Sequence, residues 1–213
     1  GTGGGTGGGE RFTQADAAAL AELKKEKKFL LMRLFNLTGE AKLPGVVKHL
    51  EGFLSLPLSG KVLVFCHHRA VMDGLSKYLT RRGEEFIRID GTTPSKERHA
   101  RAQRFQNAPR CRVAVLAITA AGIALTLTAA ATVHFAELYW TPGALLQAED
   151  RAHRIGQTST VRVTYLLANN SADDLLWPLV RKKMQLLGEI VEGNKEGDFG
   201  ASEQEKGEKG EKE

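Results

Sequence analysis

Cysteine is nearly absent: only Cys66 and Cys111 occur in 213 residues. Each falls in an apolar run or at its entrance, so both read as buried thiols of a protein working in a reducing interior compartment. No run approaches the roughly 18 apolar residues of a membrane span, and no N-terminal apolar segment precedes a cleavage site. Neither a membrane partner nor a secreted life is expected. The nucleotide-phosphate loop G-x-x-x-x-G-K-[ST] is also missing, since Thr38-Gly-Glu-Ala-Lys42 lacks both its spacing and its hydroxyl. No acidic box follows a strand. Magnesium ligation, phosphate cradling and water activation are therefore expected from another segment or chain, and the sequence reads as part of a larger protein.

What is present is globular. Hydrophobic residues at 42% and charged residues at 26% suit one compact domain, with no room for a second catalytic one. Thirty Lys and Arg against 25 Asp and Glu give a net charge of +5 and agree with a polyanionic partner without demanding one. The stretch Glu203 to Glu213 holds five Glu and three Lys, so the preceding body is more basic than the total.

Residues 1–13 read as a flexible Gly-rich linker and 14–58 as a helical flank, with helices expected over Gln14 to Phe35 and Gly39 to Leu56 docked on the domain's side. Over 59–170 short β-rich runs alternate with amphipathic helices: Val62 to Cys66, Phe86 to Ile89, Arg112 to Ile118, Thr132 to Phe135 and Val161 to Leu167. That rhythm predicts an α/β fold with a parallel sheet, the first and third runs central and the last towards an edge. A helix over 171–193 sets Leu176, Leu179, Val180, Met184 and Leu187 on one stripe. A disordered tail over 194–213 is expected to follow.

The most informative segment is Gln147-Ala-Glu-Asp-Arg151-Ala-His-Arg154-Ile-Gly-Gln157. Thr141 and Pro142 predict a capped helix start, and Gly156 its end. In such a helix Gln147, Arg151 and Arg154 share one face. Paired guanidiniums suit a terminal phosphate; a solvated face salt-bridged to Glu149 and Asp150 is the other reading of the same spacing.

Here the residues carry a resemblance. QAEDRAHRIGQ resembles motif VI of the Swi/Snf-like branch of helicase superfamily two, where RNA-helicase relatives usually read HRxGRxxR. Val115 to Thr126 resembles motif V, Phe135 to Pro142 the segment that usually ends WNP, and Phe65-Cys-His67-His68-Arg69 motif IV. His67-His68, Phe135-Ala-Glu-Leu-Tyr-Trp140 and Ala172-Asp-Asp-Leu-Leu-Trp177-Pro178 narrow it to the HepA-related, SMARCA-like annealing helicases. The resemblance implies the second RecA-like lobe of an ATP-dependent double-stranded-DNA translocase, a nuclear enzyme of DNA repair and replication-fork remodelling.

That resemblance implies roles residue by residue. Arg151 and Arg154 become catalytic fingers reaching ATP across the cleft, with Gly122, Gln147 and Asp150 beside them in the ATP site. ATP and Mg2+ would be bound mainly by a first lobe, which with double-stranded or fork DNA completes the partners; this chain alone is expected to be inactive. His67, His68, Arg88, Gly91, Thr92, Arg98, Thr119 and Trp140 would face DNA. The turn Arg88 to Pro94, with Arg98 one helical turn on, offers amides and hydroxyls to a phosphate, or is an unliganded turn and cap. Thr119 follows a buried strand, where α/β sheets place ligand loops. Ala124 replaces the family's glycine and Thr141 its usual asparagine, departures that bear on motor efficiency. No metal site is expected, because His67 and His68 lack further ligands nearby, and His134 and His153 read as structural. A catalytically silent DNA- or partner-binding lobe and a nucleosome-remodeller lobe are the rival functions.

Overall fold

A computed structural model describes residues 13–56, 60–120, 125–152, 157 and 159–199, with side chains as far as 186. Five parallel strands form one sheet: β1 (Lys61–Cys66), β2 (Glu85–Ile89), β3 (Cys111–Ala117), β4 (Ala130–Phe135) and β5 (Arg162–Tyr165). Their order is β2-β3-β1-β4-β5, and every neighbouring pair is parallel. The apolar runs expected to be central are β1 and β3, buried along nearly their whole length. The partly wet run is the edge strand β5. A parallel strand covered on both faces has no position where a polar residue meets water, which is why these runs read as continuous rather than alternating.

From β1 the chain moves by α2 (Arg69–Arg82) to β2 and by α3 (Ser95–Asn107) to β3, then crosses β1 to β4 and continues by α4 (Pro142–Glu149) to β5. The sheet therefore grows in both directions from β1. In such a sheet the loops at the carboxyl ends of the strands part company and leave a crevice between them. His67, His68, Thr119 and Trp140, candidates from the sequence, follow those ends.

The flank differs from expectation. One helix, α1 (Gln14–Ser55), replaces the two expected; Thr13 caps it, its hydroxyl accepting from the Asp16 amide at 3.2 Å while its own amide donates to Asp16 Oδ2 at 2.8 Å. Gly39 does not break it because it serves a close contact, where a methyl group would collide with Oε1 of Glu137. Pro44 costs one ladder bond to Glu40, an exposed position where water can take the freed carbonyl. Docking on the domain begins only at Phe35 and runs through Val46, Leu50 and Leu54; Leu20, Leu23, Phe29, Leu30 and Met32 are exposed. The expected docking of 14–34 is thus not found among the described residues.

The last helix, α5 (Ala172–Phe199), passes Gly193, where the expected helix stopped. No proline follows that glycine, and each of the three glycines of α5, Gly188, Gly193 and Gly197, costs the helix only about 1 kcal/mol. Of its apolar stripe, Leu176 and Val180 are buried and Met184 packs against the core, but Leu179 is exposed. The buried row keeps strict i, i+4, i+8 spacing, which Leu179 leaves by one position. The linker at 1–12, the end of the tail at 200–213 and the side chain of Leu187 lie outside the described residues.

Candidate functional site

At the carboxyl end of β1 the chain turns through His67 and His68 into α2, and His68 holds the N-cap position without a capping side chain. Glu137, just beyond β4, does the capping instead. Its Oε2 accepts from the His67 and His68 amides at 2.7 and 2.8 Å, and its Oε1 pairs with His68 Nδ1 at 2.5 Å. The carboxyl is only 3% exposed. Burial pushes its pKa up, but the hydrogen bonds from the His68 ring and the two amides outweigh that and hold it below the ordinary carboxylate value.

Around this bridge lies an aromatic cluster. Phe35 of α1 stands 5.0 Å from the His68 ring, 5.6 Å from His67 and 5.2 Å from Trp140, while Tyr139 stands 4.9 Å from His67. Burial and the neighbouring His68 push the His67 pKa down against the pull of Glu137. Both imidazoles are thus engaged inside the lobe, whereas Trp140 is 45% exposed at the cluster's rim.

The turn after β2 is organised by Asp90. Its Oδ1 accepts from the Thr92 amide at 3.0 Å and hydroxyl at 2.7 Å, and its Oδ2 takes Arg88 Nε at 3.0 Å. The Thr92 hydrogen bonds, helped by Arg88, bring its pKa down to about 2 against partial burial. Arg88 also grips Asp73 at 2.6 Å. The donors of Arg88 and Thr92 that sequence reasoning offered to a phosphate are therefore partly spent within the turn. Gly91 stays exposed, Arg98 reaches back to the Gly91 carbonyl at 3.2 Å, and α3 has Pro94 at its N-cap, which gives its first-turn amides no capping side chain.

Thr119 follows β3 in a single 3₁₀ turn, exposed between buried Ile118 and Ala120. Gly122 and Ala124 lie outside the described residues.

Helix α4 begins at Pro142 as expected, but the Thr141 hydroxyl makes no cap bond, and the helix stops at Glu149 rather than near Gly156. The cause is the loop before β4: the Leu127 amide donates to the Arg151 carbonyl at 3.2 Å and draws the chain out of the helix. Gln147 and Arg151 still stand together, with Arg151 Nε donating to the Gln147 carbonyl at 3.2 Å, and Gln147 and Asp150 are exposed. The described helix ends before Arg151, and Arg154, like His153, lies outside the described residues. Gln157 serves as a clamp instead. Its amide nitrogen donates to the carbonyls of Ala130 at 3.0 Å, Thr128 at 3.1 Å and Ala152 at 3.3 Å.

Sequence reasoning missed Glu137, Gln157 and the Glu149–Tyr165 pair. A signal existed for the first, a lone carboxylate inside the apolar run Phe135 to Trp140, where burial demands donors. His134 is structural as expected, its ring edge-on to His49 at 4.6 Å and to Phe53 at 5.5 Å. Among the described residues no cluster of three or more His, Cys, Asp or Glu is placed to hold a metal ion. No helix of the described residues is long and apolar enough to cross a membrane.

Comparison with known proteins gives a consistent picture. The family model for the helicase conserved C-terminal domain matches residues 45–156, just over half of the chain. The SWI/SNF-related matrix-associated actin-dependent regulator of chromatin subfamily A-like protein 1 of Bos taurus is 48% identical over 168 residues, covering 78% of this chain and 17% of the relative. The DNA annealing helicase and endonuclease ZRANB3 of Mus musculus is 46% identical over 167 residues, covering 78% and 16%. The chain thus spans about a sixth of the length of these relatives. Among solved structures, the C-terminal part of the Fun30 ATPase domain is similar with a TM-score of 0.55 and 30% identity, covering 57% of this chain and 39% of that one.

Proposed function

The chain belongs to the helicase conserved C-terminal domain family, and from that premise we propose that it is the second motor lobe of an ATP-driven double-stranded-DNA translocase of the annealing-helicase type. The observation that carries the reading is spatial. The loop at His67 and His68, the turn from Asp90 to Arg98, Thr119 and Trp140 follow the carboxyl ends of parallel strands of one sheet, and Arg151, in the turn after α4, lines a pocket with Phe65, Ile89 and Leu116 near the ends of β1, β2 and β3.

Each part has a task on that reading. Arg151, with Arg154 beyond it in sequence, offers planar guanidinium donors to the phosphates of ATP held on an opposing first lobe, next to Gln147 and Asp150. ATP with Mg2+ supplies the phosphoryl-transfer chemistry, and on this reading the opposing lobe would hold the metal. Gly91, Arg98, the first-turn amides of α3 and Thr119 would hold the DNA backbone through phosphate contacts, which are blind to sequence and weaken with salt. Trp140 adds an exposed aromatic face at the same edge. The similarity to relatives named as a DNA annealing helicase and as a regulator of chromatin supports fork or bubble DNA as substrate and the nucleus as location.

The test is Arg151→Ala and Arg154→Ala in the intact two-lobe protein. DNA-stimulated ATP hydrolysis should fall at least about a hundredfold while DNA affinity stays within about twofold. Unchanged turnover in both variants would refute the finger assignment.

A further inference from the structure

Arg151 stands in the turn behind a helix of only eight residues, too short for its own hydrogen bonds to hold that turn in place. The end of α4 is held from outside. Glu149 accepts a hydrogen bond from the Tyr165 hydroxyl on β5. Tyr165 is itself clamped, with its ring stacked on Phe135 at 4.6 Å and 6° and flanked by Trp177 of α5 at 5.1 Å. Burial raises the pKa of the Glu149 carboxyl and, more strongly, of the Tyr165 phenol, while the bond between them lowers the first and raises the second. Two residues beyond Glu149, the Arg151 backbone is pinned to Leu127 and its side chain to the Gln147 carbonyl.

We infer that Tyr165 is a positioning residue for Arg151. Through its bond to Glu149 it sets where the turn at residues 150–152 stands relative to the sheet, and so where the half-buried Arg151 side chain lies against Phe65, Ile89 and Leu116. The inference rests on the reading of Arg151 as the cross-cleft arginine. Tyr165 bonds Glu149 and takes its place from the sheet core and α5, so it acts on the nucleotide only through the turn. Its loss should therefore appear in the step where charge develops on the transferring phosphate, not in ground-state ATP binding.

The experiment is steady-state ATP hydrolysis by the intact two-lobe protein with saturating fork DNA, comparing Tyr165→Phe, Glu149→Gln, Glu149→Ala, the double variant Tyr165→Phe with Glu149→Ala, and Arg151→Ala. Tyr165→Phe keeps the ring and its stacking and removes only the hydroxyl. It should lower kcat roughly ten- to a hundredfold with KM for ATP within about twofold, because a small displacement of a group acting at the transition state costs rate before affinity. DNA affinity and melting temperature should not change. Glu149→Gln keeps an oxygen that accepts from the phenol and should retain most of the rate. Glu149→Ala should fall with Tyr165→Phe, and the double variant should be no slower than either single one. Full turnover in Tyr165→Phe beside a dead Arg151→Ala would overturn the inference and leave the motor reading standing. A loss that tracks melting temperature, or that adds in the double variant, would overturn it as well, and an active Arg151→Ala would remove the reading on which it rests.

Discussion

Glu137 is a carboxylate that ties two loops together, and His134 is a buried histidine whose pKa folding lowers. Glu137 replaces a missing helix cap, joins the ends of β1 and β4 and lies against Gly39 of α1, so one side chain fixes three segments. His134 is 4% exposed; burial, with His49 beside it, lowers its pKa from 6.5 to about 4. On acidification the unfolded chain binds that proton before the folded lobe does. The contribution of His134 to stability is therefore complete above about pH 6.5 and is lost as the pH falls towards 4, on the order of 3 kcal/mol in all. Urea unfolding of the lobe and of its His134→Phe variant between pH 7.5 and 4.5 should show the difference shifting in the variant's favour as pH falls. A difference independent of pH would mean that His134 does not titrate in this window.

Between elements, a buried ion pair joins α1 to the start of α5, more than a hundred residues later. Lys42 Nζ meets Asp173 Oδ2 at 2.7 Å with both side chains at least 96% buried, the same oxygen accepts from the Ala168 amide at 2.9 Å, and Thr38 Oγ1 accepts from the Ala172 amide at 3.1 Å. Removing one partner of a buried pair strands the other charge. Lys42→Met should thus cost about 3 kcal/mol or more by urea unfolding, and adding Asp173→Asn should recover part of the loss by removing the orphaned charge. A single variant as stable as the parent would show that the pair does not hold the two helices together. This fastening was not legible in the sequence, where Lys42 is one lysine among many and only the tertiary fold brings Asp173 to it. The strands were legible, because burial on both faces leaves long apolar runs such as Val62 to Cys66. Helix ends were less so. The i, i+4, i+7 spacing of Gln147, Arg151 and Arg154 marks one face only while the helix lasts, and the Leu127 bond to Arg151 ends it early.

Across the whole molecule, the residues read as functional share one edge of the sheet, and those the sequence could not supply are the ones that hold that edge in shape. Gln157 shows the difference. It stood inside the motif QAEDRAHRIGQ as part of a phosphate-binding string, and the structure uses its amide to gather three backbone carbonyls beneath the Arg151 turn. The motif identifies the lobe; its individual letters divide between chemistry and scaffolding, and only the fold separates them. The edge offers arginines, amides and an exposed tryptophan, while the sequence of the chain carries no nucleotide-phosphate loop. On the proposed function, ATP chemistry is shared between two lobes. The direct measurement is ATP hydrolysis by this 213-residue chain alone and by a protein carrying both lobes, each with and without fork DNA. A shared site gives no hydrolysis above background by the chain alone in either condition and DNA-stimulated hydrolysis by the two-lobe protein; turnover by the isolated chain at a rate comparable to the two-lobe protein would refute a shared site.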